Sequence, residues 1–390
     1  MRRLYRYRCC VCSTAQTSNA GASACTCAPS ARLEVECPKN GDGREVRSLF
    51  EGDSMWRYAP LFPADSRFSS PLKVGGTLLY DLGSHGGIQL FLKDESRNPS
   101  GSLKDRASEL VLAVARENGL EHVVTASTGN AAASLACLAA AQKMRATIFV
   151  PASAPRAKLL QVMAFGADIV EVDGDYDLAF SRAADFAKGT GAFCRNTGSN
   201  PFTREGKKTV AFEIAEQFGW RAPDWIIVPV GDGNIVSGVA KGFAELRALG
   251  LIPRTAGIVA VQARSSNAIS VGMRRARLDG DRVPQIVMVT PETRADSIAV
   301  GESKDFNAAV RALLANDGIC VELEDDEILR ATRDIASRHG VFLEPSAAAT
   351  YSALQRLLSQ GVMHGSEKVV LIGTGGGLKD PSACFEEQRS

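Results

Sequence analysis

Three apolar runs in this chain end in the same way, and that repeated ending restricts the fold more than any other feature. His122-Val123-Val124-Thr125 passes into Ala126-Ser127-Thr128-Gly129-Asn130 and then into the helix-forming stretch Ala131 to Ala141. Trp225-Ile226-Ile227-Val228-Pro229-Val230 passes into Gly231-Asp232-Gly233-Asn234 and a helical pattern from about Val236 to Leu249. Lys368-Val369-Val370-Leu371-Ile372 ends in Gly373-Thr374-Gly375-Gly376-Gly377-Leu378-Lys379-Asp380. Short apolar runs without polar alternation suit strands covered on both faces, as in parallel sheets. Further strands are expected over Thr147 to Val150 and Asp168 to Val172, with helices over about Ala154 to Phe165 and Asp177 to Lys188. With 390 residues, 45% of them hydrophobic, the chain can bury two ordinary cores. The expected fold class is therefore α/β, with two doubly wound open-sheet domains.

Each of these turns gathers groups that suit an anion. Backbone N–H groups and the hydroxyls of Ser127 and Thr128 collect where a helix begins, which favours a carboxylate or phosphate. Gly231 and Gly233 permit φ > 0 and close backbone approach to a phosphate. Taken singly, such turns are ordinary caps in any α/β protein. A further loop adds a nucleophile. Lys93-Asp94-Glu95-Ser96-Arg97-Asn98-Pro99-Ser100-Gly101-Ser102-Leu103-Lys104-Asp105-Arg106 opens directly into an apolar helix at Lys104. A lysine at a helix start is ordinarily a solvated surface residue. One that is partly buried beside other cations has a lowered pKa and can condense with an aldehyde.

In this order the motifs resemble the threonine synthase family, pyridoxal-phosphate enzymes of the tryptophan synthase β-subunit fold type. The resemblance runs from about Ser54-Met55-Trp56-Arg57-Tyr58 to Leu378-Lys379-Asp380. It includes Asn98 to Arg106, Ser127 to Asn130, Glu205-Gly206-Lys207-Lys208-Thr209, Ser297-Ile298-Ala299-Val300-Gly301 and Glu344-Pro345-Ser346-Ala347. It implies that Lys104 holds the cofactor aldehyde as a Schiff base and Asn130 hydrogen-bonds the ring oxygen. Gly231, Asp232, Gly233 and Asn234 would form the phosphate turn, and Thr374 would face the pyridine nitrogen, a neutral partner that does not force that nitrogen to stay protonated. Ser127, Thr128, Asn196 and Arg204 would serve the substrate, with the cofactor in the cleft between the domains. The implied reaction converts O-phospho-L-homoserine and water to L-threonine and phosphate, with Lys104 as the base that takes the α-proton.

Some positions depart from the family pattern. Thr203 stands where the family commonly has an arginine for the substrate phosphate, and Arg204 follows one place later. Ala131 replaces a frequent Thr. The Gly231 turn is one residue short and carries Asp232, whose charge must point away from phosphate or cap a backbone N–H. Two alternatives stay open: a related enzyme such as cysteate synthase or a serine/threonine dehydratase, and a paralogue that binds a ligand without turnover.

The first 37 residues hold six of the ten cysteines. Cys9 and Cys12 form a Cys-x-x-Cys, and Cys25 and Cys27 a Cys-x-Cys, the pattern of a small zinc ribbon with a degraded second pair. Some threonine synthases carry such a ribbon ahead of a Leu-Glu-Val segment, matched here by Leu33-Glu34-Val35. A flexible cysteine-rich leader is the plainer reading. Arg2, Arg3, Arg6 and Arg8, with no acidic residue before Glu34, also admit an organellar transit peptide. The expected division is a cysteine-rich segment over 1–40, a larger cofactor-binding domain over 55–103 and 197–383, and a smaller substrate-loop domain over 104–196. A net charge of +1 gives no nucleic-acid or membrane signal, and no apolar stretch is long enough to span a bilayer. We expect a cytoplasmic homodimer acting on a small amino-acid substrate, without nucleic-acid or membrane partners. His85, His122, His339 and His364 are scattered and are assigned no catalytic role.

Overall fold

A computed structural model of the chain describes residues 5–17, 25–27, 31–37, 42–280, 284–381 and 383. Arg2 and Arg3 of the basic leader lie outside the described residues. The chain forms two compact units, one from Met1–Gly76 and Asn98–Thr209, the other from Thr77–Arg97 and Val210–Ser390.

In chain order the strands begin with β1 (Arg6–Cys9), β2 (Ala15–Thr17) and β3 (Leu33–Glu36), an antiparallel sheet ordered β2-β1-β3. Next come β4 (Leu79–His85) and β5 (Ile88–Asp94), which belong to the second unit. The first unit resumes with β6 (His122–Ala126), β7 (Arg145–Pro151), β8 (Asp168–Val172) and β9 (Phe193–Cys194). The second unit closes with β10 (Trp225–Pro229), β11 (Gly257–Ala263), β12 (Ile319–Leu323) and β13 (Lys368–Gly373).

The first unit's main sheet is ordered β8-β7-β6-β9 and is parallel throughout. The helices Arg156–Ala164 and Tyr176–Thr190 fall where the apolar periodicity puts them. The second of these starts on Asp175, whose side chain accepts from the N–H of Leu178, and stops on Gly191 at φ 75°, a left-handed cap that glycine adopts without strain. The small antiparallel sheet buries Tyr7, Leu33 and Val35.

The second unit's sheet is ordered β12-β11-β10-β13-β5-β4, parallel except for the antiparallel edge strand β4. Ile226, Ile227, Val228, Val369, Val370 and Leu371 on its central strands are fully buried. Each such side chain contributes about 1.5–3 kcal/mol by leaving water, enough to drive the pairing. The helix Pro345–Ser359 packs against this sheet and begins with Pro345, whose fixed φ suits a first turn and whose missing N–H has no intrahelical partner to lose. Among the described residues no helix is long and apolar enough to cross a membrane.

Candidate active site

In the first unit Lys104 opens the helix Lys104–Glu117 and is half-buried. The loop before it is pinned from both ends. Asn98 Oδ1 accepts from the N–H of Gly75 at 2.9 Å. The carboxylate of Asp105, itself buried, accepts from the N–H of Ser100 at 2.6 Å and from its hydroxyl at 2.5 Å. Gly101 sits at φ 87°, the left-handed turn that lets the chain reverse into the helix. Asn130 opens the neighbouring helix Asn130–Ala141 and is buried. The two helices pack together, and one turn inside each Ser134 Oγ donates to Ser108 Oγ at 2.8 Å. Lys104 and Ser108, like Asn130 and Ser134, are four apart and share a helix face. The amine and the amide thus head adjacent helices in fixed register.

Ser127 and Thr128 are half-buried ahead of Asn130, and Ser127 Oγ accepts from the N–H of Gly129 at 3.2 Å. Asn196 is fully buried and shapes this turn. Its Oδ1 accepts from the N–H of Ala126 at 2.8 Å and from the Thr125 hydroxyl at 3.2 Å, while its Nδ2 donates to the carbonyl of Phe180 at 3.1 Å. Thr203 donates its hydroxyl to the carbonyl of Asn200 at 2.7 Å, closing its own helix start. Arg204 is 4% exposed and pairs with Glu34 of β3 at 2.9 Å. Beside that pair, the rings of Tyr5 and Phe202 meet edge to face at 5.4 Å. The helix Phe202–Lys207 lies so close to the Lys104 helix that a Cβ on Gly206 would stand 2.0 Å from the carbonyl oxygen of Arg106.

In the second unit the Gly231–Asn234 turn joins β10 to the helix Asn234–Ala248. Gly233 has φ 84°, and a Cβ there would meet Ala309 at 2.6 Å, so both conformation and space require glycine. Asp232 accepts from the N–H of Lys304 at 3.2 Å, which accounts for a carboxylate in a turn suited to anions. Thr374 is buried after β13. Gly375 lies against Glu344, whose carboxylate oxygen would be 2.7 Å from a Cβ there, and the N–H of Glu344 donates to the carbonyl of Gly375 at 3.1 Å. Glu344 stands in a stretch that the sequence marks both as a helix start and as part of the family resemblance, and its buried carboxylate bears directly on the Thr374 turn.

A separate donor set lies in the first unit. The sulfurs of Cys9, Cys12, Cys25 and Cys27 all fall within 4.8 Å of one another, with Cys9 to Cys27 at 3.5 Å and Cys12 to Cys25 at 3.8 Å. A tetrahedral zinc with bonds of about 2.3 Å needs sulfurs about 3.8 Å apart, so the geometry fits.

A helix-heading lysine, glycine turns at the ends of parallel strands, and a buried threonine after the last strand define a class. The model of the pyridoxal-phosphate dependent enzyme family matches residues 71–375, and the chain belongs to that family. Its curated relatives narrow the class to threonine synthases: the threonine synthase of Methanocaldococcus jannaschii is 36% identical over 338 residues, 85% of this chain and 82% of that protein. Among solved structures, maize serine racemase is similar with a TM-score of 0.66 at 25% identity, over 77% of this chain and 88% of that one. The processed form of threonine deaminase isoform 2 from Solanum lycopersicum shares the fold with a TM-score of 0.68 at 22% identity, over 90% and 99% of the two chains. The chain is accordingly a pyridoxal-phosphate-dependent lyase of the threonine synthase type.

Proposed function

We propose that this protein is a threonine synthase that converts O-phospho-L-homoserine and water to L-threonine and phosphate. The observation that carries the reading is the register of the Lys104 and Asn130 helices, held by Ser108 and Ser134. It supports a reading in which the Lys104 amine and an Asn130 amide assigned to the cofactor ring head two adjacent helices.

We assign Lys104, Asn130, the Gly231-Asp232-Gly233-Asn234 turn and Thr374 to the cofactor. The glycine at φ 84° with no room for a side chain fits a phosphate turn, and the half-buried Lys104 fits an aldehyde. When bound, pyridoxal phosphate supplies an electron sink for charge that develops at the substrate's α- and β-carbons. Lys104 takes the α-proton and later returns it. Ser127 and Thr128 hold the substrate carboxylate at the start of the Asn130 helix, where backbone N–H groups favour an anion. Asn196 keeps that turn in shape through Ala126 and Thr125. Arg204 serves the substrate phosphate in this assignment, which requires it to leave Glu34 when substrate binds. Loss of phosphate from the γ-carbon is followed by addition of water at the β-carbon, and Lys104 is placed to move protons at more than one of these steps.

A second reading rests on Arg204 and Thr203. With Arg204 paired to Glu34 and Thr203 spent on Asn200, the leaving group need not be phosphate, which favours a related β-replacement or elimination enzyme such as cysteate synthase or a serine/threonine dehydratase. The four-cysteine cluster is assigned to structural zinc that braces the β2-β1-β3 sheet, and the protein to a cytoplasmic homodimer with neither nucleic-acid nor membrane partners.

The absorbance spectrum of the purified protein tests the cofactor assignment. A visible-edge band that Lys104→Ala abolishes is expected, with phosphate released from phosphohomoserine by the wild type. A band that survives the substitution would remove Lys104 from its role. A wild-type band without phosphate release would move the reading to the related enzymes.

A further inference from the structure

The Gly231–Asn234 turn is held by a segment more than sixty positions further along the chain. Ser303 Oγ donates to the carbonyl of Gly231 at 3.0 Å. The N–H of Asp305 donates to the carbonyl of Asp232 at 3.0 Å. The N–H of Lys304 donates to the Asp232 carboxylate at 3.2 Å. One oxygen of the Asp305 carboxylate accepts from Asn234 Nδ2 at 2.9 Å and from the Ser237 hydroxyl at 3.0 Å, in the first turn of the following helix. Ser303 and Asp305 are each 1% exposed.

The consequence follows from peptide planarity. In a trans peptide the carbonyl and the next N–H point in opposite directions, so tying a carbonyl fixes the N–H behind it. Ser303, by holding the Gly231 carbonyl, fixes the N–H of Asp232; the N–H of Asp305, by holding the Asp232 carbonyl, fixes that of Gly233. Glycine-rich turns flip peptide planes readily, because glycine resists neither sign of φ. Without these ties the turn could point carbonyls at an anion as easily as N–H groups. The Asp305 carboxylate also draws the side-chain donors of Asn234 and Ser237 to itself, which leaves anion recognition to the backbone.

We propose that Ser303 and Asp305 form a clamp that sets the peptide planes of the phosphate turn, and are positioning residues for the cofactor's phosphate. The proposal rests on the pyridoxal-phosphate reading above. Neither residue belongs to the motifs that carry the family resemblance, although both lie within four positions after Gly301.

The test compares two ligands on the full-length chain, freed of aldehyde with hydroxylamine: pyridoxal phosphate and pyridoxal, which has the same aldehyde but no phosphate. Ser303→Ala removes one hydrogen bond and should raise the dissociation constant for pyridoxal phosphate about tenfold, leaving that for pyridoxal unchanged. Asp305→Ala should show the same selectivity with a larger loss. If both variants bind pyridoxal phosphate like the wild type, or lose both ligands in equal measure, the clamp is wrong. Failure of the wild type to bind pyridoxal phosphate at all would overturn the cofactor reading, and the clamp with it.

Discussion

Glu109 lies one turn and a residue along the helix that Lys104 opens, and it is the buried acid whose titration the structure describes most fully. Its side chain is fully buried, one oxygen accepts from the indole N–H of Trp56 at 2.7 Å and from the N–H of Ser70 at 2.8 Å, and the other has no hydrogen-bond partner among the described residues. Burial pushes its pKa from 4.5 to about 7, against the pull of those two donors. Its folded pKa therefore lies above its unfolded one. Well below pH 4.5 the group is protonated in both states and costs nothing. As pH rises from 4.5 to about 7, the unfolded chain ionises first and unfolding becomes easier, and above that the cost levels off. Between pH 5 and pH 8 the loss from this one group is about 2.5 kcal/mol.

Glu109→Gln keeps an acceptor for Trp56 and Ser70 and cannot ionise, so it should lack this loss. The assay is urea unfolding followed by Trp56 fluorescence, with Trp220 and Trp225 replaced by Phe in both proteins so that the signal reports the Glu109 contact. The stability of the Glu109 protein relative to Glu109→Gln should fall by about 2.5 kcal/mol from pH 5 to pH 8. A difference between the two proteins that stays flat with pH would refute the argument that burial, rather than the two donors, decides the ionisation.

Gly206→Ala places a Cβ on the backbone oxygen of Arg106, a contact that no side-chain motion relieves. It should destabilise the protein by about 4 kcal/mol and lower the melting temperature by about 5 °C, and a change under about 2 °C would mean the two helices can separate freely. The purified protein should hold about one zinc per chain by metal analysis, and Cys27→Ser should bring it close to zero; a wild type without metal would leave the cluster a set of reduced thiols.

The sheets were legible because parallel strands buried on both faces are written as unbroken apolar runs, and β6, β10 and β13 begin where such runs begin. The helix start at Pro345 was legible because a fixed φ suits a first turn, whereas the helix expected from Asp177 begins at Tyr176 on a cap, Asp175, that the apolar pattern did not single out. The four residues of the cysteine cluster were also visible in their spacing. What sequence could not show is which distant side chain meets which turn. Glu34 and Arg204 are 170 positions apart, and nothing in the apolar pattern couples them. Asp305 belongs to no motif visible in the sequence, and only the place of its carboxylate on Asn234 ties it to the turn. Residues 55–76 lie in the first unit, where Trp56 and Ser70 bind Glu109 and Gly75 binds Asn98, hydrogen bonds that leave no trace in composition or periodicity.

In the proposed reaction water enters at the β-carbon while phosphate leaves from the γ-carbon with its bridging oxygen. Turnover of O-phospho-L-homoserine in ¹⁸O-labelled water, with mass analysis of both products, tests it directly. Threonine and phosphate are expected in equal amounts, with the label in the threonine hydroxyl and none in the phosphate. Label in the phosphate with homoserine as the partner product would show cleavage at phosphorus, and would contradict the reaction assigned to Lys104.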